Sequence, residues 1–223
     1  MRGNTIYKPI NIALEVYMKI LLINGSPHKS GTTNAALTEL AKTLTAEGAE
    51  CEIMQVGHLA IRGCTACLGC RTNGKCVIDD AVNEAAEKFR EADGLVVASP
   101  VYYAAPNGTL ISFLDRLFYS SPFDKRKKVG AAVVCARRGG CTASFDVLNK
   151  YFSISGMPIA TSSYWNQVHG ANAEDAALDE EGMMCMRNLG RNMAFLIKSI
   201  ALGEEKLGLP ERESGIRTNF IKR

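Results

Sequence analysis

Several things are scarce in this sequence, and each scarcity closes off a class of function. No apolar run approaches the ~20 residues that a membrane span needs. The first seventeen residues lack the basic start, apolar stretch and small-residue cleavage site of a secretory leader, so a cytoplasmic protein with no membrane partner is expected. An excess of either charge is also missing. Lys and Arg total 26 against 23 Asp and Glu, and a net charge of +3 gives no electrostatic case for nucleic acid. Internal repeats and low-complexity linkers are absent, and none of the three histidines has the setting of a catalytic base.

What is present is an alternation of short apolar runs and amphipathic stretches. With 47% hydrophobic residues, 223 residues suffice for one α/β layer sandwich. Lys19 to Ser26, directly after Met18, reads as a buried strand ending in turn residues. A helix is expected from Ala35 to Glu47, a strand from Glu50 to Val56, a helix from Asp79 to Ala92 and a strand from Leu95 to Ser99. Gly108 to Ser120 reads as a helix, Val129 to Cys135 as a strand, Ser144 to Ile154 as a helix and Pro158 to Ser162 as a fifth strand. A last helix is expected from about Glu174 to Leu202, interrupted near Gly182 or Gly190. Such alternation specifies a doubly wound α/β fold, a parallel sheet covered on both faces. The expected organisation is an N-terminal extension at 1–17, one domain at 18–203 and a tail at 204–223.

In doubly wound sheets ligands bind beyond the carboxyl ends of the strands, where strand order reverses. Both loops expected there are unusual. The first, Gly25-Ser26-Pro27-His28-Lys29-Ser30-Gly31-Thr32-Thr33-Asn34, offers four hydroxyls and the free amides of a helix start, donors that suit a phosphate monoester. It has no Lys after Gly31, as a Walker loop would, and no G-x-G-x-x-G. An ordinary capped helix is the plain alternative. The second loop, Ser99-Pro100-Val101-Tyr102-Tyr103-Ala104-Ala105-Pro106-Asn107-Gly108, places two aromatics and two prolines where a flat ring could stack.

The two loops together, G-S-P-H-K-S-G-T-T-N and S-P-V-Y-Y-A-A-P-N-G-T-L-I-S-F-L-D-R, closely resemble those of the flavodoxin-like NADPH-dependent FMN reductases, from about Met18 to Ser120. The resemblance implies a five-stranded parallel sheet in the order 2-1-3-4-5 and bound FMN. It implies that Ser26, Thr33 and their neighbours His28, Ser30, Thr32 and Asn34 hold the phosphate. By the same token Pro100, Val101, Tyr102, Tyr103, Asn107 and Gly108 line the ribityl chain and ring. Thr32 departs from the family, which more often has Asn there. Cys135-Ala136-Arg137-Arg138-Gly139-Gly140 falls at the family's third flavin loop, whose backbone approaches the pyrimidine edge of the ring, and glycine permits that approach. Arg137 or Arg138 would stabilise negative charge on reduced flavin or attract an NADPH phosphate, if they are not merely two solvated arginines.

Eight cysteines in a reducing compartment suggest thiols, metal ligands or redox groups. Cys64, Cys67, Cys70 and Cys76 form C-x2-C-x2-C-x5-C, a spacing that suits iron–sulfur ligation, with zinc or free thiols as alternatives. This motif resembles that of the iron–sulfur flavoproteins, which carry a [4Fe–4S] cluster with FMN. Cys51, Cys135, Cys141 and Cys185 lack such spacing and read as buried small hydrophobes. Tyr164-Trp165, after the fifth strand, is either a flavin cap or a structural pair.

The leading expectation is therefore an oxidoreductase passing electrons from NAD(P)H through FMN to a small acceptor such as a flavin, quinone or other electron-poor aromatic. The alternative is an electron carrier whose cluster accepts electrons from ferredoxin, and a third is a sensing module using the thiols. The family implies a homodimer or homotetramer, with the Met-rich last helix available for contact.

Overall fold

The computed structural model describes residues 17–216 and 218. All of the expected N-terminal extension except Tyr17 lies outside the described residues.

Strand β1 (Met18–Asn24) is buried along nearly its whole length, because strands flank it on both sides and helices cover both faces. After the phosphate loop comes α1 (Thr32–Ala46), and then β2 (Ala49–Gln55), which pairs with β1 from Met18 with Ala49 to Asn24 with Gln55. The cysteine segment contains one short helix, α2 (Gly69–Asn73), and leads into α3 (Ala81–Glu91). Strand β3 (Gly94–Tyr102) returns beside β1 and turns back through the two-residue β4 (Ala105–Pro106) before α4 (Gly108–Ser120). Strand β5 (Val129–Ala136), α5 (Cys141–Ile154), β6 (Gln167–His169), α6 (Ala173–Leu178) and α7 (Glu180–Leu207) complete the chain. Helix α7 therefore continues past residue 203, where the tail was expected to begin.

The parallel strands run β2-β1-β3-β5-β6, the expected doubly wound, flavodoxin-like order, and β4 adds a sixth strand antiparallel to the tip of β3. Alternate residues of β1 point to opposite faces, as the period of two requires. Ile20 and Leu22 meet α1 and α7, where Leu37, Leu40, Met186, Leu189 and Met193 lie. Leu21 and Ile23 meet α3 and α4 on the other face, with Phe89, Phe113, Leu114 and Leu117.

Two expectations are corrected. The fifth parallel strand is Gln167–His169, not Pro158–Ser162, which makes only a single bridge between Gly130 and Ile159. The chain leaves the sheet after that bridge and rejoins it at Asn166, whose side-chain amide donates to the Ala132 carbonyl at 3.0 Å and whose own carbonyl accepts from the Val134 amide at 3.0 Å. The last helix breaks at Asp179, not at a glycine. Asp179 caps α7 by accepting from the Gly182 amide at 2.9 Å and also accepts from the His169 amide at 2.6 Å, tying the break to β6. Gly182 and Gly190 serve close approach instead. A Cβ on Gly182 would overlap the Asp179 carboxylate, and one on Gly190 would meet Thr43 of α1 at 2.9 Å.

Candidate functional site

The loop after β1 is held by close backbone contacts and by the side chains of the residues that end β1 and β2. The Gly25 amide donates to the Ala98 carbonyl at 2.8 Å, and a Cβ on Gly25 would lie 2.8 Å from that oxygen and 2.6 Å from Leu110. Gly57, just past β2, is closer still: any Cβ there would overlap the Gly25 and Ser26 carbonyl groups. Gln55 Nε2 donates to the Ser26 carbonyl, and Asn24 Oδ1 accepts from the Ser26 amide at 2.9 Å. Asn24, Gln55 and Gly57 were not among the residues expected to build the site. Their signal is only that they end the strands flanking the loop.

Within the loop, buried Ser26 accepts the His28 amide at 3.1 Å, which leaves its hydroxyl proton for a ligand. His28 and Ser30 are exposed. The Thr32 hydroxyl donates to the carbonyls of Gly170 and Asn172, at 3.1 and 3.0 Å, so it ties α1 to the segment before α6. Thr33 is buried and its hydroxyl faces Cys135, whose thiol is pushed up to about 12 by burial, opposed in part by that hydroxyl. Thr32 and Thr33, with Asn34, therefore offer a ligand their backbone N–H groups. The first amide bonded within α1 is that of Ala35, to the Gly31 carbonyl at 3.0 Å.

Apart from the five-residue α2, which starts uncapped in the cysteine loop, the helix starts divide into two kinds. Helices α3, α4, α6 and α7 are capped by the side chains of Asp80, Asn107, Asn172 and Asp179. Helices α1 and α5 start at Gly31 and Gly140 with no side-chain cap and no acid in the first turn. Their amides point outward beyond β1 and β5, on either side of β3. Uncapped, acid-free helix starts at the carboxyl edge of a parallel sheet suit anionic groups. The residues present therefore fit a phosphate at α1 and the electron-rich edge of a ring at α5.

Between them, β3 and β4 form a tight hairpin whose two turn residues, Tyr103 and Ala104, have φ of 52° and 59°. That conformation disfavours side chains with a Cβ. Tyr103 projects fully into solvent, Tyr102 is about half exposed, and Pro100 and Val101 are partly buried beneath them. Gly140, with φ 92°, lies against this hairpin, since a Cβ there would come within 2.8 Å of Val101 and 3.0 Å of Ala104. The three loops expected to bind flavin are thus brought together. Arg137, Arg138 and Gly139 are exposed beside them. Asn107 is buried, and its side-chain oxygen is spent on the Thr109 and Leu110 amides; Gly108 is exposed next to it. His169 is the final residue of β6, and its Nε2 lies 3.2 Å from the Arg138 carbonyl. Trp165 packs on Tyr164 with ring centroids 5.0 Å apart, and both are about half exposed.

Cys64, Cys67, Cys70 and Cys76 line a single pocket, walled by Ile78 and by Arg116, Tyr119 and Ser120 of α4. Among the described residues no three Cys, His, Asp or Glu groups converge at the spacing of a single metal ion, so the sulfurs border a cavity and do not meet at a point. Cys70 and Cys76 are half-buried. Cys70 Sγ lies 3.9 Å from the Tyr119 carbonyl, and Asn83 pins Cys76 from both sides, accepting from its amide and donating to its carbonyl, each at 3.1 Å. Cys64 and Cys67 are exposed, and the Gly69 amide lowers the Cys67 thiol below its ordinary range. Cys135, Cys141 and Cys185 are buried as expected, whereas Cys51 is only half-buried.

A sequence profile for the family described as NADPH-dependent FMN reductase matches residues 18–172. An iron–sulfur flavoprotein of Methanocaldococcus jannaschii is 32% identical over 194 residues, covering 82% of this chain and 99% of that protein. An iron–sulfur flavoprotein of Methanosarcina thermophila is 29% identical over 85% of this chain and all of its own length. Among solved structures, RosB with a bound flavin intermediate superposes with a TM-score of 0.66 at 16% identity, covering 92% of this chain and 94% of the other. An archaeal flavodoxin superposes with a TM-score of 0.55 at 14% identity, covering 82% and 99%. At such identities the structures establish the shared fold. No helix among the described residues is long and apolar enough to cross a membrane.

Proposed function

The chain belongs to the NADPH-dependent FMN reductase family, close to the iron–sulfur flavoproteins, and we propose on that premise that it is an FMN oxidoreductase whose cysteine loop carries a [4Fe–4S] cluster. Membership makes it a flavoprotein oxidoreductase; the cluster, the electron donor and the acceptor are the proposal. The observation that carries it is the pocket shared by all four loop thiols. One of its walls is α4, the helix that starts at the flavin loop, so one rigid element joins the two sites. From Asn107 to Arg116 the helix rises about 13 Å at ~1.5 Å per residue.

Bound FMN supplies a carrier that trades electrons singly or in pairs, and a cluster supplies one-electron exchange. The protein's own residues hold and shield these groups. The α1 amides and Ser26 take the phosphate, and the glycine-held turn fixes its position. The hairpin at Tyr102 and Tyr103 flanks the ring, and the free amides of α5, with Arg137 and Arg138 nearby, favour negative charge at its edge. The electron source in this reading is a one-electron carrier of the ferredoxin class, and the acceptor is a small electron-poor molecule.

A second reading, with NAD(P)H as the donor, is favoured by the exposed Arg137 and Arg138 beside an open ring site, which suit the phosphates of a dinucleotide. Assembly as a homodimer or homotetramer accompanies either reading, and exposed Tyr103, Trp165 and Met184 supply contact area.

Iron, acid-labile sulfide and flavin are to be measured on anaerobically purified protein, followed by separate addition of NAD(P)H and of reduced ferredoxin. About four irons and four sulfides per chain, with flavin bleaching by ferredoxin, is the expected result. Bleaching by NAD(P)H in iron-free protein would move the assignment to the second reading. Protein that retains no flavin at all would sink both.

A further inference from the structure

We infer that Arg116 is a positioning residue that raises the reduction potential of a cluster on the cysteine loop, acting through the sulfur of Cys76. The inference rests on the cluster proposed above.

Arg116 is 1% exposed, the largest fully buried side chain among the described residues. A guanidinium has five N–H donors, and here each has an acceptor. Nη1 reaches Asp80 Oδ2 at 2.6 Å and the Arg62 carbonyl at 3.3 Å. Nη2 reaches Asp80 Oδ1 at 2.9 Å and the Ile78 carbonyl at 2.9 Å. Nε is directed at Cys76 Sγ, 3.3 Å away. Four of the acceptors are oxygens, and the fifth is one of the four thiol sulfurs.

That contact is fixed from both ends. The planar fork engages both oxygens of Asp80, which sets the guanidinium plane and leaves Nε one direction to face. Asp80 is itself held, because its Oδ1 caps α3 through the Val82 amide at 3.0 Å. Cys76 is held by Asn83 on both sides. An arginine that only clipped α3, α4 and the loop together would be satisfied by the oxygens, and a neutral donor would suffice at the sulfur.

A permanently charged donor on a ligating sulfur draws electron density from it, and the low dielectric of a buried site strengthens the effect. The reduced cluster carries one more negative charge and gains more from it than the oxidised one. The couple takes up one electron from the reductant, with no bond at Cys76 broken and no proton transferred there. Asp80 acts in the opposite sense, because its carboxylate neutralises part of the guanidinium charge.

The test uses the full chain, reconstituted anaerobically with iron and sulfide, in wild-type form and as Arg116→Gln, Arg116→Lys and Asp80→Asn. Iron and sulfide are counted, and the cluster is titrated with dithionite and followed by electron paramagnetic resonance. Arg116→Gln is expected to lower the ratio of reduced to oxidised cluster at fixed poise at least tenfold, about 59 mV for one electron. Asp80→Asn, which preserves a capping side chain, is expected to raise that ratio, and Arg116→Lys, which keeps the charge but loses the fork that aims Nε at the sulfur, to lower it by less than Arg116→Gln does. A purely structural clip gives no reason for opposite signs. Loaded Arg116→Gln with an unchanged potential would overturn the role. If that variant takes up no iron, Asp80→Asn decides: a raised ratio supports the role, and an unmoved or lowered one overturns it. Wild-type protein that binds neither iron nor sulfide defeats the cluster itself, a result separate from a loaded cluster of unshifted potential.

Discussion

The loop after β1 and the cysteine loop after β2 follow adjacent strands of the sheet and are held by different means. The first is fixed mainly by close backbone approach, Gly25 against Ala98 and Gly57 against Gly25 and Ser26, with the side chains of Asn24 and Gln55 adding bonds to Ser26. The second has little backbone support. Ala66 and Leu68 sit at positive φ, the stretch from Arg62 to Leu68 is exposed, and its attachment runs through side chains, Arg116 and Asn83 above all. A site built from backbone should tolerate many side-chain changes yet fail when one Cβ is added. A loop built on side chains should concentrate its sensitivity in one or two residues and leave the rest of the molecule intact.

The largest effect is expected where backbone contact is closest. Gly57→Ala forces β2 and the phosphate loop apart, because the new methyl would overlap two carbonyl groups that cannot rotate away. A loss of about 3 kcal/mol in stability is expected, the upper range for overpacking, together with loss of bound flavin. Denaturant unfolding and the visible spectrum measure the two. A yellow protein with an unchanged midpoint would break the contrast.

In the cysteine loop the expected damage is local. Removing the buried charge in Arg116→Gln leaves Asp80 without its partner and loosens the contacts to Arg62 and Ile78. Lost charge-assisted bonds of this kind cost about 2–3 kcal/mol. Here that cost should appear as local opening, read as faster limited proteolysis between residues 62 and 78 at unchanged flavin content. If the loop resists protease as the wild type does, side chains do not hold it.

The same distinction explains which features were legible in the sequence. The alternation of strands and helices was, because buried parallel strands are continuous apolar runs and α4 carries its own start and stop; its bounds, Gly108 and Ser120, are those the pattern gives. The loops at the switch point were legible through turn chemistry. What escaped depended on contacts distant in sequence. Pro158–Ser162 has the composition of a strand but meets β5 at one bridge, and no pattern reveals that Asn166 completes the ladder. Gly182 and Gly190 look like helix breakers, yet the break belongs to Asp179, an effective cap that β6 also requires. Residue type at Thr32 promised a hydroxyl for a phosphate, but direction is a matter of packing, and that side chain turns to the carbonyls of Gly170 and Asn172. Arg116 stood in plain view beside Asp115, and nothing local marks it as the arginine that is buried.

A smaller effect, and a sharper one, separates the uncapped helices from the capped ones. At Gly31 the backbone is extended, with φ −87°, and a methyl group added there would meet only His28 Cβ, at an ordinary 3.5 Å. Gly31→Asp should therefore fit, and it would supply the cap that α1 lacks. The apoprotein is expected to gain a few tenths of a kcal/mol, the usual difference between Gly and Asp at such a position. Flavin affinity is expected to fall roughly tenfold or more, because the carboxylate occupies the amides and repels a phosphate. Flavin titration of the apoprotein, alongside its melting temperature, reads both. A stabilised apoprotein that still binds FMN with wild-type affinity would show that these amides are not the anion site.

The smallest effect lies at the tip of the β3–β4 hairpin. Tyr103, at φ 52°, makes no compensating contact for its backbone strain, since its side chain is fully exposed. Asn accepts this conformation at lower cost, so Tyr103→Asn should stabilise the protein by about 0.5 kcal/mol, a part of the ~1 kcal/mol left-handed penalty. Stability and flavin retention should then move in opposite directions, because the ring removed is the one that stands free to flank a bound isoalloxazine or to meet a neighbouring subunit. If instead the variant keeps its flavin as tightly as before and melts higher, the tyrosine's strain serves no ligand. The backbone would then account for that site by itself, as it does at Gly57.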